Sequence, residues 1–372
     1  MSISTTYRFI GKILATPADG RNGKPAGWDK INWNELVNTA SNHYMLPAIY
    51  TRLRDANLLG KLPGGLERHL EAIHSLNLER NTKILEQAHD INNILRTGNI
   101  IPVFMKGVGN LADRLYTDHG ERMMLDIDIL AGPLHSKEAH RLLIASGYKT
   151  YANSGHAVNS AMKHFPPLYK KGMPAQVEIH LLPVNIQYRI LFDFEEARSG
   201  KRPAHEKSDL MVLSDAHNIK LNFIHSQLVH WGHQRAVPQI RDLYDLYLLA
   251  RREDPARIFS ETGPFQGKAA GYLRVMYSLF GIRKKLPHSL QNRGKFYFLR
   301  HRTALNHPGL GRQIFQLMRI WRLYFDIPLK SLFSANYRHY VKVRLKDPEW
   351  YRRNLGIPLT MEKRKKKGGS KN

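Results

Sequence analysis

The stretch MLDIDIL (124–130) alternates carboxylates with apolar residues, and AQVEIHL (175–181) does the same with a glutamate and a histidine. Such alternation marks a half-buried strand, in which residues two apart face the same way. Asp126 and Asp128 therefore project side by side, their α-carbons about 6–7 Å apart, with Leu125, Ile127 and Ile129 packing beneath. Two like charges held in this way repel until a cation lies between them, and paired oxygen donors on a rigid strand suit a hard divalent ion. If the second strand pairs nearby, Glu178 supplies a third ligand and His180 faces the same way. A lone D-x-D strand at a solvated sheet edge looks similar. Two apolar-flanked carboxylate strands in one chain point instead to a site.

Outward from these strands, IIPVFM (100–105) is a short apolar, β-prone run followed by Lys106–Gly107 and the helical GNLADRLY (109–116). A glycine turn opening a helix offers backbone N–H groups to phosphate, and Lys106 adds a point charge there. Arg122, four residues before Asp126, either clamps a phosphate or pairs with Asp126. SKEAHRLLIAS (136–146) reads as a helix with a serine cap, closed by Gly147. Helical periodicity covers 34–54 and 66–96 and returns over 215–252 with a cap at Ser214 or Asp215. Arg241 and Asp242 lie on that later helical stretch, either reaching the nucleotide pocket or joining a surface ion network. His225, His230 and His233 do not share one helix face, so a zinc site is not the favoured reading. The pattern predicts an α+β protein with its strands between residues 100 and 182. The expected divisions are an N-terminal helical region (1–98), a catalytic core (99–213), a helical region packing on it (214–282) and a basic, aromatic-rich helical extension (283–372) ending in a disordered Lys-rich tail.

FMKG (104–107), LADRLY (111–116), RMMLDIDIL (122–130) and VEIH (177–180), in that order, resemble an uncharacterised nucleotidyltransferase-like family of the polymerase-beta-type superfamily. SNHYMLPAIYTRL, LNLERNTKIL, GNIIPVFMKG and SGY (146–148) extend the similarity, as do AHNIKLNFIHSQLVHWGHQ and IRDLYDLYLLA (240–250). It spans roughly residues 30 to 280. The resemblance implies a small mixed sheet with helices, presenting h-D-h-D-h on one strand and h-E-h on another. It further implies two Mg²⁺ ions held by Asp126 and Asp128 and completed by Glu178, with an NTP as substrate. Glu178 then stands nearest the acceptor hydroxyl as a ligand and general base. The family's usual Gly-Gly or Gly-Ser phosphate turn is here Lys106–Gly107.

The chain has 372 residues and no cysteine, which excludes disulfides and thiolate metal sites. No apolar run reaches the length of a membrane-spanning helix and the N-terminus lacks a signal-peptide pattern, so a cytoplasmic protein is expected. The formal net charge is +26, and residues 283–372 hold 23 Lys/Arg against 4 Asp/Glu, or +19 of it. One-signed charge on this scale attracts polyanions, and the interleaved aromatics suit RNA. A nucleotidyltransferase acting on RNA, tRNA included, is the expected function. Its rivals are a same-fold enzyme acting on a small metabolite or cell-surface polymer precursor, and a silent RNA-binding module, against which the three carboxylates argue. IFQLMRIWRLYF (314–325) also has the form of an amphipathic helix able to lie on an anionic membrane.

Overall fold

A computed structural model describes residues 3–17, 23–150 and 163–345. The expected Lys-rich tail over 362–372 lies outside the described residues. The N-terminal region is helical: α1 (Ile3–Leu14), α2 (Trp33–Asn42), α3 (Leu46–Asp55) and α4 (Leu66–Arg96). The one helix expected over 34–54 is two. Tyr44 takes a left-handed φ of 58°, and Pro47 sits in the first turn of α3, where proline starts a helix rather than continuing one. The long α4 follows its periodicity, burying Leu70, Ile84, Ala88, Ile91 and Leu95.

Then comes the sheet, with its intervening helices: β1 (Val103–Met105), α5 (Lys106–Ala112), β2 (Asp126–Leu130), α6 (Gly132–Ala145), β3 (Lys149–Thr150), β4 (Leu168–Tyr169), β5 (Gln176–His180), α7 (Phe194–Ser199), β6 (Lys201–Pro203) and β7 (Met211–Leu213). The seven strands run in the order β3-β4-β5-β2-β1-β7-β6. β2 pairs antiparallel with β1 and parallel with β5. Phe104, Ile127, Ile129, Val177, Ile179 and Val212 are fully buried. Each such side chain contributes roughly 1.5–3 kcal/mol on burial, and a one-residue slip would move every one of them to the wrong face. The core thus fixes the register, and the register places the carboxylates.

The strands are not confined to 100–182, since β6 and β7 extend the sheet to Leu213, and two local expectations are corrected as well. Leu125 does not pack beneath the sheet but is 66% exposed, because β2 begins only at Asp126. Ser136 does not cap a helix: α6 starts at Gly132 with Pro133 in its first turn, and the buried Ser136 hydroxyl donates to the Gly132 carbonyl.

After the sheet come α8 (Asp215–Phe223), a π-type turn over Ile224–Val229, α9 (Gly232–Arg235), α10 (Ile240–Leu249), α11 (Pro255–Ser260) and α12 (Gln266–Phe280). The Ser214 hydroxyl accepts from the His217 amide and caps α8. The basic extension folds as α13 (His288–Gln291), α14 (Lys295–Asn306), α15 (Pro308–Trp321), a second π-type turn over Arg322–Asp326, α16 (Ile327–Phe333) and α17 (Ala335–Arg344). Among the described residues no helix is long and apolar enough to cross a membrane.

Candidate active site

Parallel pairing sets Asp126 opposite Gln176 and Asp128 opposite Glu178, with His180 opposite Leu130. Asp128 is buried, while Asp126 and Glu178 are half-buried. The Nε2 of His180 lies 2.7 Å from the Asp128 Oδ1 and 3.4 Å from the Glu178 Oε2. Ligand atoms of Asp128, Glu178 and His180 all fall within 4.8 Å of one another. The Lys106 Nζ bonds directly to Asp128, whose neighbour across the sheet is Met105. Lys106 reaches it from a left-handed φ of 55° at the start of α5, a backbone strain of about 1–2 kcal/mol. Next to it, Gly107 is buried against Met124, whose Cβ would stand 3.2 Å from an added Cβ.

Charge is distributed unevenly across this platform. Burial pushes the Asp128 carboxyl up, but the Lys106 ammonium and the His180 ring outweigh it and hold the carboxyl well below the usual carboxylate range. Glu178 is likewise desolvated, yet His180 and His164 bring it down to about 2. Asp126 alone is raised, first by burial and then by the charge on Asp128. One carboxylate of three is thus left short of positive charge. The close-set donors are the Asp128 and Glu178 carboxylates and the His180 imidazole, a set that fits a divalent cation, with Asp126 two residues along β2.

α4 positions both carboxylate strands. Arg80 donates to the carbonyls of Met124, two residues before Asp126, and Pro174, two residues before β5. The Gln87 amide donates to the Ala175 carbonyl and accepts from the Ala175 N–H, at 3.0 and 3.2 Å. Asn81 holds the Arg122 carbonyl at 2.8 Å. These buried amides replace water for loop backbone that would otherwise lie unpaired.

A cleft opens beside Asp126 and Asp128. Lys106, Gly107, Arg122, Arg241 and Asp242 line it, as do Asn218, Asn222, His225 and His230. Arg122 does not pair with Asp126. Its guanidinium is given to Asp245 of α10 through three contacts of 2.8–3.2 Å, a buried pair that leaves little for a phosphate. Arg241 is less committed, with one long donation to the Met123 carbonyl at 3.5 Å and its guanidinium 4.9 Å from the Tyr44 ring centre. Its buried Nε has no hydrogen-bond partner and stands 3.8 Å from Asp242, and burial, then repulsion from Arg122, lowers its pKa.

A family model described as an uncharacterised nucleotidyltransferase matches residues 29–277, two thirds of the chain and all of this platform. The chain belongs to this family. The protein is therefore a nucleotidyltransferase, and its mixed sheet with flanking helices is that fold. No curated protein matches the chain.

Several residues around the nucleotidyltransferase platform escaped the sequence reading. Lys163, brought in by the bridge between His164 and His180, is desolvated to a pKa of about 8, with repulsion from Lys106 adding to the effect. The His164 Nε2 lies 3.6 Å from Glu178. KHFPP carries no periodic signal that would announce either residue. Asn218 and Asn222 stand at i, i+4 on one face of α8, but Asp215, His217 and Lys220 on the same helix leave them no distinguishing signal.

Proposed function

We propose that the protein transfers a nucleoside monophosphate from an NTP to a hydroxyl acceptor at Asp126, Asp128 and Glu178. The observation that supports this reading is the β2–β5 register, which sets Glu178 opposite Asp128, beside a cleft lined by Asp126, Asp128, Lys106 and Arg241. The cofactor is Mg²⁺, two ions by the family's pattern. Asp126, Asp128 and Glu178 would hold the ions, which would supply positive charge against that of the triphosphate in the in-line displacement. The acceptor oxygen bonds to the α-phosphorus, the bond to the bridging oxygen breaks, and pyrophosphate leaves with that electron pair while the acceptor's proton passes to solvent.

Lys106 and Arg241 supply fixed positive charge toward the triphosphate. α5 is only seven residues long, so its N-terminal field adds little beside them. Glu178, with its carboxyl near 2, is fully ionised at neutral pH and too weak a base to hold a proton there. Its role in this reading is to ligate and to orient. The net charge of +26 suits an anionic acceptor, RNA being the class read from the sequence. Incubation with each labelled NTP and Mg²⁺, with and without RNA, tests the proposal. Label transferred from the α-phosphate supports it; release of pyrophosphate or label from no NTP under any condition removes it.

A further inference from the structure

Residues 283–345 hold fourteen Lys/Arg against one acidic residue, Asp326. Part of this extension is committed to the rest of the fold. The Arg322 guanidinium donates to the Tyr188 hydroxyl and the Leu228 carbonyl and lies 4.6 Å from the Trp231 ring centre. Arg300 donates to the carbonyls of His233 and Gln234, and the Tyr297 hydroxyl to Gln227. Ile327 and Tyr337 are buried. These contacts dock the extension from one side.

The side left over is apolar. Leu310, Leu317, Trp321 and Tyr324 recur at intervals of seven, four and three, which is one helical face, and all are exposed. Leu317 is 68% exposed and Trp321 58%, and the Trp321 ring stacks on Phe325 with centres 5.1 Å apart. Phe333, at the end of α16, is 84% exposed. A soluble surface does not ordinarily leave so many large apolar side chains in water along one run of helix.

We propose that this face of α15 and α16 lies on an anionic lipid surface. Charge selects the occupant: Arg312 of α15 and Arg338 and Lys342 of α17 are exposed, and the sequence after Leu345 adds nine Lys/Arg against three acidic residues. Apolar residues seated at the acyl boundary with lysine and arginine at the headgroups make up an interfacial helix, and none here is long enough to span. Aliphatic Leu310, Leu317 and Ile320 favour lipid over RNA, since they offer bases neither a stacking plane nor a hydrogen bond. The inference concerns this face alone and does not depend on the reaction proposed for the cleft.

Co-sedimentation of the full chain with vesicles tests it. Binding to vesicles containing phosphatidylglycerol should exceed binding to pure phosphatidylcholine by about tenfold or more, and fall with salt. The double variant Trp321→Ser/Phe325→Ser removes exposed apolar area without touching charge. It should lose about tenfold in vesicle partition while its thermal melting stays as in wild type. No sedimentation with anionic vesicles at low salt would overturn the proposal, as would a double variant that binds them like wild type. So would RNA binding lost in the variant without any vesicle binding, which assigns the face to RNA. A dimer in solution that the variant breaks, with no vesicle binding, assigns it to a second copy and overturns the proposal equally.

Discussion

Lys106 and Asp128 form a direct ion pair at the end of the central strands, on the carboxylate that also takes the His180 hydrogen bond. The pair makes the two aspartates of one strand unequal. Asp128 is neutralised from two sides, whereas Asp126, two residues away, is short of positive charge.

Asp126→Asn and Asp128→Asn should therefore part company in stability. Both should lower nucleotidyl transfer by at least ~100-fold, the scale expected when charge stabilisation of a transferring phosphoryl is lost. Without metal, Asp126→Asn should melt at or above the wild-type temperature, because it removes a repelled carboxylate. Asp128→Asn should lose on the order of 2 kcal/mol, less than a fully buried broken pair because Glu178 remains close to Lys106. Urea denaturation of the three proteins checks this. Equal stabilities would mean the ion pair contributes nothing.

Lys106→Met and Arg241→Met address the donor. Each should weaken Mg²⁺–NTP binding by roughly tenfold, about the 1.4 kcal/mol of one charge-assisted contact. Arg122→Met should instead act mainly on folding, because it strands Asp245 in the interior, and Lys106→Met should act on folding as well as on binding, because it strands Asp128. Calorimetric titration alongside thermal melting separates the two classes.

Arg80 touches the loops and not the platform's carboxylates, yet it ties the approach to β2 to the approach to β5. Arg80→Ala should cost nucleotidyl transfer roughly tenfold or more through misplacement of Asp126 relative to Glu178. Metal affinity measured by calorimetry should fall with it, while NTP affinity without metal should not. A variant that loses stability but keeps metal affinity would show that Arg80 only anchors the loops.

His301 gives a pH signature far from the cleft. It is buried, its Nδ1 faces the Ala236 carbonyl at 2.7 Å, and burial lowers its pKa to about 4. The unfolded chain takes up this proton first, near 6.5, so the stabilising contribution is present above that pH and is lost as pH falls toward 4. The loss amounts to about 2–3 kcal/mol. In His301→Asn, which keeps a donor at the Nδ1 position, the urea midpoint should depend less on pH across this window, by close to one proton. An unchanged slope would exclude His301 as its source.

The part of the fold legible in the sequence was the part ruled by periodicity. Alternation located β2 and β5, and a Gly- and Pro-free run located α4 to the residue. The break at Tyr44 was not legible, because a left-handed turn there depends on packing that no local pattern encodes. Arg122 was read either as a phosphate clamp or as a partner of its sequence neighbour Asp126, whereas its partner is Asp245, more than a hundred residues later and brought near only by tertiary structure. Lys163 and His164 went unseen for the same reason: a single β-bridge to His180 delivers them.

The parallel pairing of β2 with β5 also governs when the platform can exist. β1 and β2 meet within one short stretch of chain, but Glu178 lies fifty residues beyond Asp128. Closing the longer loop costs more chain entropy, so near pairings tend to precede distant ones. The three carboxylates are thus gathered late, when Ile127, Ile129, Val177 and Ile179 are in place to hold charges that repel one another. A chain emerging from synthesis only as far as α6 carries Asp126 and Asp128 without Glu178. A chain stopped short of β5 therefore has no assembled site with which to consume nucleotide.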